Sequence, residues 1–198
     1  MTEHFRFPKS KQGQKTFLKI VETARKLFAN QGYQVTSINE IIAKSNIAAG
    51  TFYLYFKDKL AVYRYLLDEY RHNIRKTIFE AIQEQSSRKE KERLGIKAFL
   101  KYAWSDPLSY KIIWESMFID YDLFKQYYDT FSKDYMRQLT AAGTEINKNI
   151  DTQTLSFMLM GIANFVGLQV LFRETCTDHD LDYLTDQIMM MLTQGMFV

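Results

Sequence analysis

Between Thr36 and Lys59 the chain gathers hydroxyl, phenol and ammonium groups: Thr36, Ser37, Lys44, Thr51, Tyr53, Tyr55, Lys57 and Lys59. Such donors and cations grip phosphate oxygens and read the edges of bases. They need rigid support, and the same stretch encodes it. Ser37 begins a Ser-x-x-Glu sequence ending at Glu40, which predicts a capping box at a helix start. Ile38, Ile41 and Ile42 follow on one helical face. Asn46 stands where the chain must turn, and asparagine tolerates a left-handed backbone. Gly50 opens a second short helix without a Cβ in the way of a neighbour or a phosphate. Phe52 and Phe56, four apart, should face inward, leaving Tyr53 and Tyr55 for solvent or nucleic acid. Two short helices locked by apolar residues, the second offered outward, is the pattern of a helix-turn-helix.

The segment from about Phe17 to Leu66 resembles the DNA-binding domain of the tetracycline-repressor (TetR) family of bacterial transcription regulators. The resemblance rests on Ala24, Phe28, Gly32, Tyr33, Thr36, Ile38, Ile41, Ala43 and the run Gly50-Thr51-Phe52-Tyr53-x-Tyr55-Phe56-x-x-Lys59. It covers roughly a quarter of the chain. Family members often carry Gly-Val-Ser-Lys before the Gly-Thr pair, whereas this chain has Asn46-Ile47-Ala48-Ala49. That removes a hydroxyl and a charge that could touch DNA. The resemblance implies phosphate contacts from Thr36 and Ser37 at a helix N-terminus. It implies base or backbone contacts from Thr51 and Tyr53, close approach at Gly50, and a grip on phosphate by Tyr55 and Lys59. Lys44 joins the set on charge alone.

Charge is distributed to match. The net charge is +3, but residues 1–60 carry +6 and the remainder −3. A basic end coinciding with the helix-turn-helix suits double-stranded DNA as partner. Residues 1–13 read as a disordered basic arm, residues 14–60 as the DNA-binding domain and residues 61–198 as a ligand-binding and dimerisation domain. With two prolines, eight glycines and long helical periodicities, the predicted class is all-α with about nine helices. The first helix is expected over about 14–30 with Gly32 as its stop. A long fourth helix is expected over about 57–84. Pro107 should open a helix, Asp151 should cap one, and Asp178 or Asp180 should cap the last.

Aromatic residues concentrate between 102 and 135. Trp104, Tyr110, Trp114, Phe118, Tyr128 and Phe131 are the candidate lining of an effector pocket, which the resemblance places in the body. Glu115, beside Trp114, could face a cationic ligand but reads more simply as a surface carboxylate. The last two helices carry broad apolar faces (Leu155, Met158, Ile162 and Phe165; Tyr183, Ile188 and Met191). The resemblance implies a homodimer formed through them, and Gly161 and Gly167 would admit close helix packing. Leu155–Phe172 is nearly continuous in apolar residues, but a buried helix explains this more simply than a membrane span.

No catalytic constellation emerges. His4, His72 and His179 are dispersed, no metal-ligand spacing occurs, and no phosphate-cradling glycine loop or nucleophile elbow is present. No metal and no cofactor are therefore expected. Cys176 is the only cysteine, so no intrachain disulfide can form, and a reducing, cytoplasmic setting is expected. The implied function is a sequence-specific transcriptional regulator, a repressor released from a palindromic operator by a small hydrophobic or aromatic effector. The alternative is a helical carrier or enzyme that uses the aromatic cavity and has no DNA role.

Overall fold

The computed structural model describes residues 4–196 as nine α-helices and one 3-10 turn, with no strand ladder among the described residues. The helices are α1 (Lys11–Gln31), α2 (Ile38–Ser45), α3 (Ala49–Tyr55), α4 (Lys59–Ile82), α5 (Arg88–Ser105), α6 (Pro107–Ile119), α7 (Tyr121–Ala141), α8 (Thr152–Leu171) and α9 (Asp178–Gln194). The all-α class expected from periodicity is the class observed. Two compact units share these helices. A head unit comprises Met1–Tyr70 with Leu108–Lys125, and a body unit comprises Arg71–Pro107 with Gln126–Val198.

In the head, α1 buries Phe17, Ile20, Val21, Ala24 and Phe28 at helical spacing. They meet Ile41 of α2, Phe52 and Phe56 at α3, and Val62, Tyr63 and Leu66 of α4, all fully buried. Phe17 stacks on Phe56 at 4.7 Å between ring centroids. Each such side chain contributes roughly 1.5–3 kcal/mol by leaving water. Gly32 ends α1 at φ +89°, a region that L side chains rarely adopt.

Helix α6 belongs to the head, though it follows α5 in the chain. Three ties hold it. The Tyr33 amide donates to Glu115 Oε1 at 2.7 Å. Arg64 Nη2 reaches Asp120 Oδ2 at 2.8 Å. The Tyr63 hydroxyl donates to the Ile112 carbonyl, and burial pushes the Tyr63 phenol far above its usual range. Glu115 thus accepts from the turn that follows α1, rather than standing as a plain surface carboxylate.

In the body, Ile96 and Leu100 of α5 pack with Val170 of α8 and with Leu181, Leu184 and Ile188 of α9. A charged ladder fixes the antiparallel register of α5 on α9. Arg93 pairs with Asp186 at 3.1 Å, Lys97 with Asp182 at 2.6 Å and Lys101 with Asp178 at 3.1 Å. Basic residues rise by four along α5 while acidic ones fall by four along α9, so only one register pairs all three. Exposed pairs of this kind add little stability individually.

Several local expectations need correction. The arm over residues 1–13 is not disordered where it is described. Phe5 forms an antiparallel bridge with Phe56, and α1 already begins at Lys11 behind the Ser10 cap; Met1–Glu3 of that arm lie outside the described residues. The capping box at α2 is half formed. Ser37 Oγ accepts from the Glu40 amide at 3.1 Å, but the Glu40 carboxylate turns to Gln31 Nε2 at 2.7 Å and Lys44 at 3.0 Å. The last helix is capped by Thr177, with Asp180 completing the reciprocal box. Pro107 and Asp151 take the expected places at the starts of α6 and α8. Within one chain α8 is not a buried helix. Phe157, Met158, Phe165 and Phe172 are exposed, and the helix is long and apolar enough to cross a membrane by length and composition.

Candidate nucleic-acid interface

The turn between α2 and α3 is set by Asn46, at φ 48° and ψ 58°. Its amide donates to the Ala43 carbonyl at 3.1 Å, and the Ile47 amide reaches Ile42 at 3.3 Å. A left-handed residue closing these bonds stops α2 and redirects the chain. Helix α3 has only seven residues and no side-chain N-cap at Ala48. Its rigidity comes from tertiary contacts, since so short a helix is unstable alone. Phe52 and Phe56 anchor it in the head core, and Tyr53 lies edge-on to Phe52 at 5.3 Å between centroids.

The anchoring leaves an outward face. Ala49, Gly50, Tyr53 and Leu54 are exposed, with Tyr53 at 56 % and Leu54 at 57 %. Thr51 is half-buried at the edge of that face. Sequence reasoning missed Leu54, an exposed apolar side chain suited to a thymine methyl. The inward spacing of Phe52 and Phe56 could have identified it. Lys57, directly after α3, is exposed as well.

Gly50 has open space where a Cβ would stand, with nothing of the chain within 4 Å. The fold itself therefore does not require glycine here. Gly50→Ala is expected to leave thermal stability unchanged or raise it by up to about 1 kcal/mol. A several-fold loss of duplex affinity in gel shifts, at unchanged melting temperature, would assign the gap to DNA. Unchanged affinity would remove Gly50 from the interface.

Four other candidates have internal partners. Thr36 is 1 % exposed, and its hydroxyl donates to the Gly32 carbonyl at 2.8 Å, so it cannot meet a phosphate. Ser37 is exposed, and its oxygen already caps α2. Tyr55 is half-buried, with its ring edge-on to Phe17 at 5.8 Å, and does not point freely outward. Lys44 is exposed but paired with Glu40, and that hydrogen bond holds the Glu40 carboxyl below its usual range.

Lys59 takes a different role from the expected phosphate grip. Its Nζ donates to the Tyr33 carbonyl at 2.6 Å and the Thr36 carbonyl at 2.7 Å, with Gln34 O at 3.4 Å. The ammonium also lies 4.1 Å from the centroid of the Tyr33 ring. Its burial lowers the Lys59 pKa. The first residue of α4 thereby ties down the loop between α1 and α2. Lys59→Met should cost about 2 kcal/mol, read as a fall of roughly 4–8 °C in melting temperature. An unchanged melt would refute this structural role.

The six aromatic candidates for an effector site are divided between the units. Tyr110, Trp114 and Phe118 lie on α6 in the head; Tyr110 is buried, Trp114 half-buried and Phe118 82 % exposed. Trp104 packs on the α5–α8–α9 core of the body. Tyr128 and Phe131 are brought together on α7 around Tyr127, whose ring centroid lies 5.3 Å from each. Burial pushes the Tyr128 phenol up to about 12. Arg75 lies over the Phe131 ring at 5.3 Å and pairs with Asp134. Arg88, Glu92 and Tyr135 form a second buried polar cluster. No group of metal-ligating side chains occurs among the described residues.

Comparison with known proteins identifies the head. Residues 20–66 match the family of bacterial regulatory proteins known as tetR. The fatty acid metabolism regulator protein of Bacillus subtilis is 31 % identical over 86 residues, covering 43 % of this chain and 44 % of that one. The matched stretches span 18 % to 44 % of the first curated relatives. Solved structures establish likeness of fold over nearly the whole chain. A TetR-family regulator from Syntrophomonas wolfei superposes with a TM-score of 0.81 at 22 % identity, covering 94 % of this chain and 99 % of that one. FadR from Bacillus subtilis, in complex with stearoyl-CoA, gives a TM-score of 0.69 at 20 % identity, covering 91 % of this chain and all of that one. The stretch that folds into the helix-turn-helix of α2 and α3 is thus similar to the tetR family of bacterial regulatory proteins over residues 20–66.

Proposed function

We propose that this protein is a homodimeric, sequence-specific DNA-binding transcriptional regulator, a repressor released from a palindromic operator by a small hydrophobic effector. The observation that carries the reading is the outward face of α3. Exposed Tyr53 and Leu54 project from a helix fixed by fully buried Phe52 and Phe56. Tyr53, Leu54, Thr51 and Gly50 are the base-reading candidates, with Ser37 and Lys57 on phosphates. A dimer would present two such faces to major grooves one helical turn apart, about 34–36 Å.

The dimer reading is supported by α8 and α9. Met158 and Phe165 on α8, and Phe172 directly after it, recur at helical spacing and are exposed, as are Tyr183, Met190 and Met191 on α9. Gly161, on the same stripe of α8, has nothing of its own chain within 4 Å of a built Cβ. An apolar stripe with a small residue in it suits close packing against a second copy. An effector need only bind the DNA-incompetent conformer more tightly than the competent one. An acyl chain is the first effector class to test, because one regulator of this fold is solved with stearoyl-CoA.

The test is selection of bound duplexes from genomic fragments with purified protein. An enriched inverted repeat, released by acyl-CoA or another hydrophobic compound, supports the reading. No enrichment of any sequence would sink it.

A further inference from the structure

We propose that the amino-terminal arm is a second DNA-contacting element, in which Arg6, Lys9 and Lys11 grip the sugar-phosphate backbone beside the groove that α3 enters. The proposal rests on the DNA-binding function above, and it concerns residues outside the 20–66 family match.

The arm is built against the recognition helix. The Arg6 amide donates to the Tyr55 carbonyl at 2.8 Å, and the Lys57 amide donates to the His4 carbonyl at 3.2 Å. Phe5 lies edge-on to Tyr65 at 5.2 Å, and Phe7 edge-on to Phe17 at the same distance. Gln14 Nε2 then reaches the Pro8 carbonyl at 3.2 Å, and Ser10 caps α1. A Cβ at Gly13 would stand 2.8 Å from the Pro8 Cβ, so glycine is needed for this close approach. Residues 4–10 are thereby fastened at two places: to the end of α3 and to the start of α1.

The charge on this scaffold has no internal use. Arg6, Lys9, Lys11, Lys15 and Lys57 are exposed and make no ion pair with any described carboxylate. Five acids of the head are engaged elsewhere. Glu22 holds Arg25 and Lys26, Glu40 holds Lys44, Asp58 caps the Ala61 amide, Glu115 caps Tyr33 and Asp120 holds Arg64. Lys11 also stands in the first turn of α1, where no acid is present and the helix dipole disfavours a cation. Fold stability therefore does not explain these cations, whereas a polyanion does. Because the arm is tied down by backbone bonds and aromatic packing, its contact is with phosphate and sequence-independent.

The triple variant Arg6→Gln, Lys9→Gln, Lys11→Gln keeps every backbone bond of the arm. On the selected operator its plot of log K against log salt should be shallower by about 2 to 3 per head. Binding at 0.1 M salt should fall by at least about tenfold, with half-site preference and melting temperature unchanged. The single Lys9→Gln variant should flatten the slope by about one per head. Lys133→Gln with Lys148→Gln in the body is the control and should leave the slope as in the wild type. A slope unchanged in the triple variant, or flattened equally in the control, overturns the proposal while α3 remains the reader. A changed preference at base pairs flanking the half-sites would also overturn it, because it would indicate groove reading. Wild-type protein that binds no duplex overturns both this proposal and the function on which it rests.

Discussion

Replacing Tyr53 by alanine is expected to weaken operator binding by about ten- to a hundredfold and to leave the fold and the proposed dimer intact. The size follows from the loss of one direct contact, about 1–3 kcal/mol. The side chain is 56 % exposed, and its only ring contact among the described residues is edge-on to Phe52. Truncation therefore removes little packing, and the melting transition should move by no more than about 0.5 kcal/mol. Fluorescence anisotropy against the selected duplex, at one fixed salt concentration, measures the effect. Wild-type affinity in the variant would mean that another face of the head meets DNA.

Phe165→Glu is expected to turn the proposed dimer into a monomer at micromolar concentration. Phe165 is 66 % exposed within one chain, on the α8 stripe shared with Met158 and Gly161. In a two-fold interface the change occurs on both copies, so two carboxylates would be driven into apolar surface. An unpaired buried charge costs about 3–5 kcal/mol, enough to weaken association more than a hundredfold. Sedimentation equilibrium reads the mass directly. A variant that remained dimeric would exclude this face of α8 from the interface. A monomer with wild-type operator affinity would instead show that pairing is dispensable for binding.

Local rules of the chain were the legible ones. Asn46 at a left-handed turn, Gly32 past α1, Pro107 at the start of α6, Asp151 as a cap and the inward pair Phe52 and Phe56 all follow from spacing and backbone preference. What sequence concealed is nonlocal. Nothing near Phe5 announces that it pairs with Phe56, some fifty positions on. Nothing near Glu115 announces that it accepts from the Tyr33 amide. Lys59 looked like a surface cation because its three carbonyl partners come from a loop more than twenty residues earlier. Thr36 looked like a phosphate ligand by position, but its hydroxyl is claimed by the turn that buries it. The aromatic run from 102 to 135 read as one constellation because sequence cannot show that α6 joins the head while most of α7 joins the body.

The placement of α6 has a consequence for dissecting this protein. Its head is not a portable cassette. A fragment ending at Tyr70 would strip Ile112 and Ile113 from the core, leave Arg64 without Asp120 and deprive the Tyr33 amide of its acceptor. Swapping heads between relatives at the end of the family match would transplant half of a joint, and α6 would have to travel with the graft.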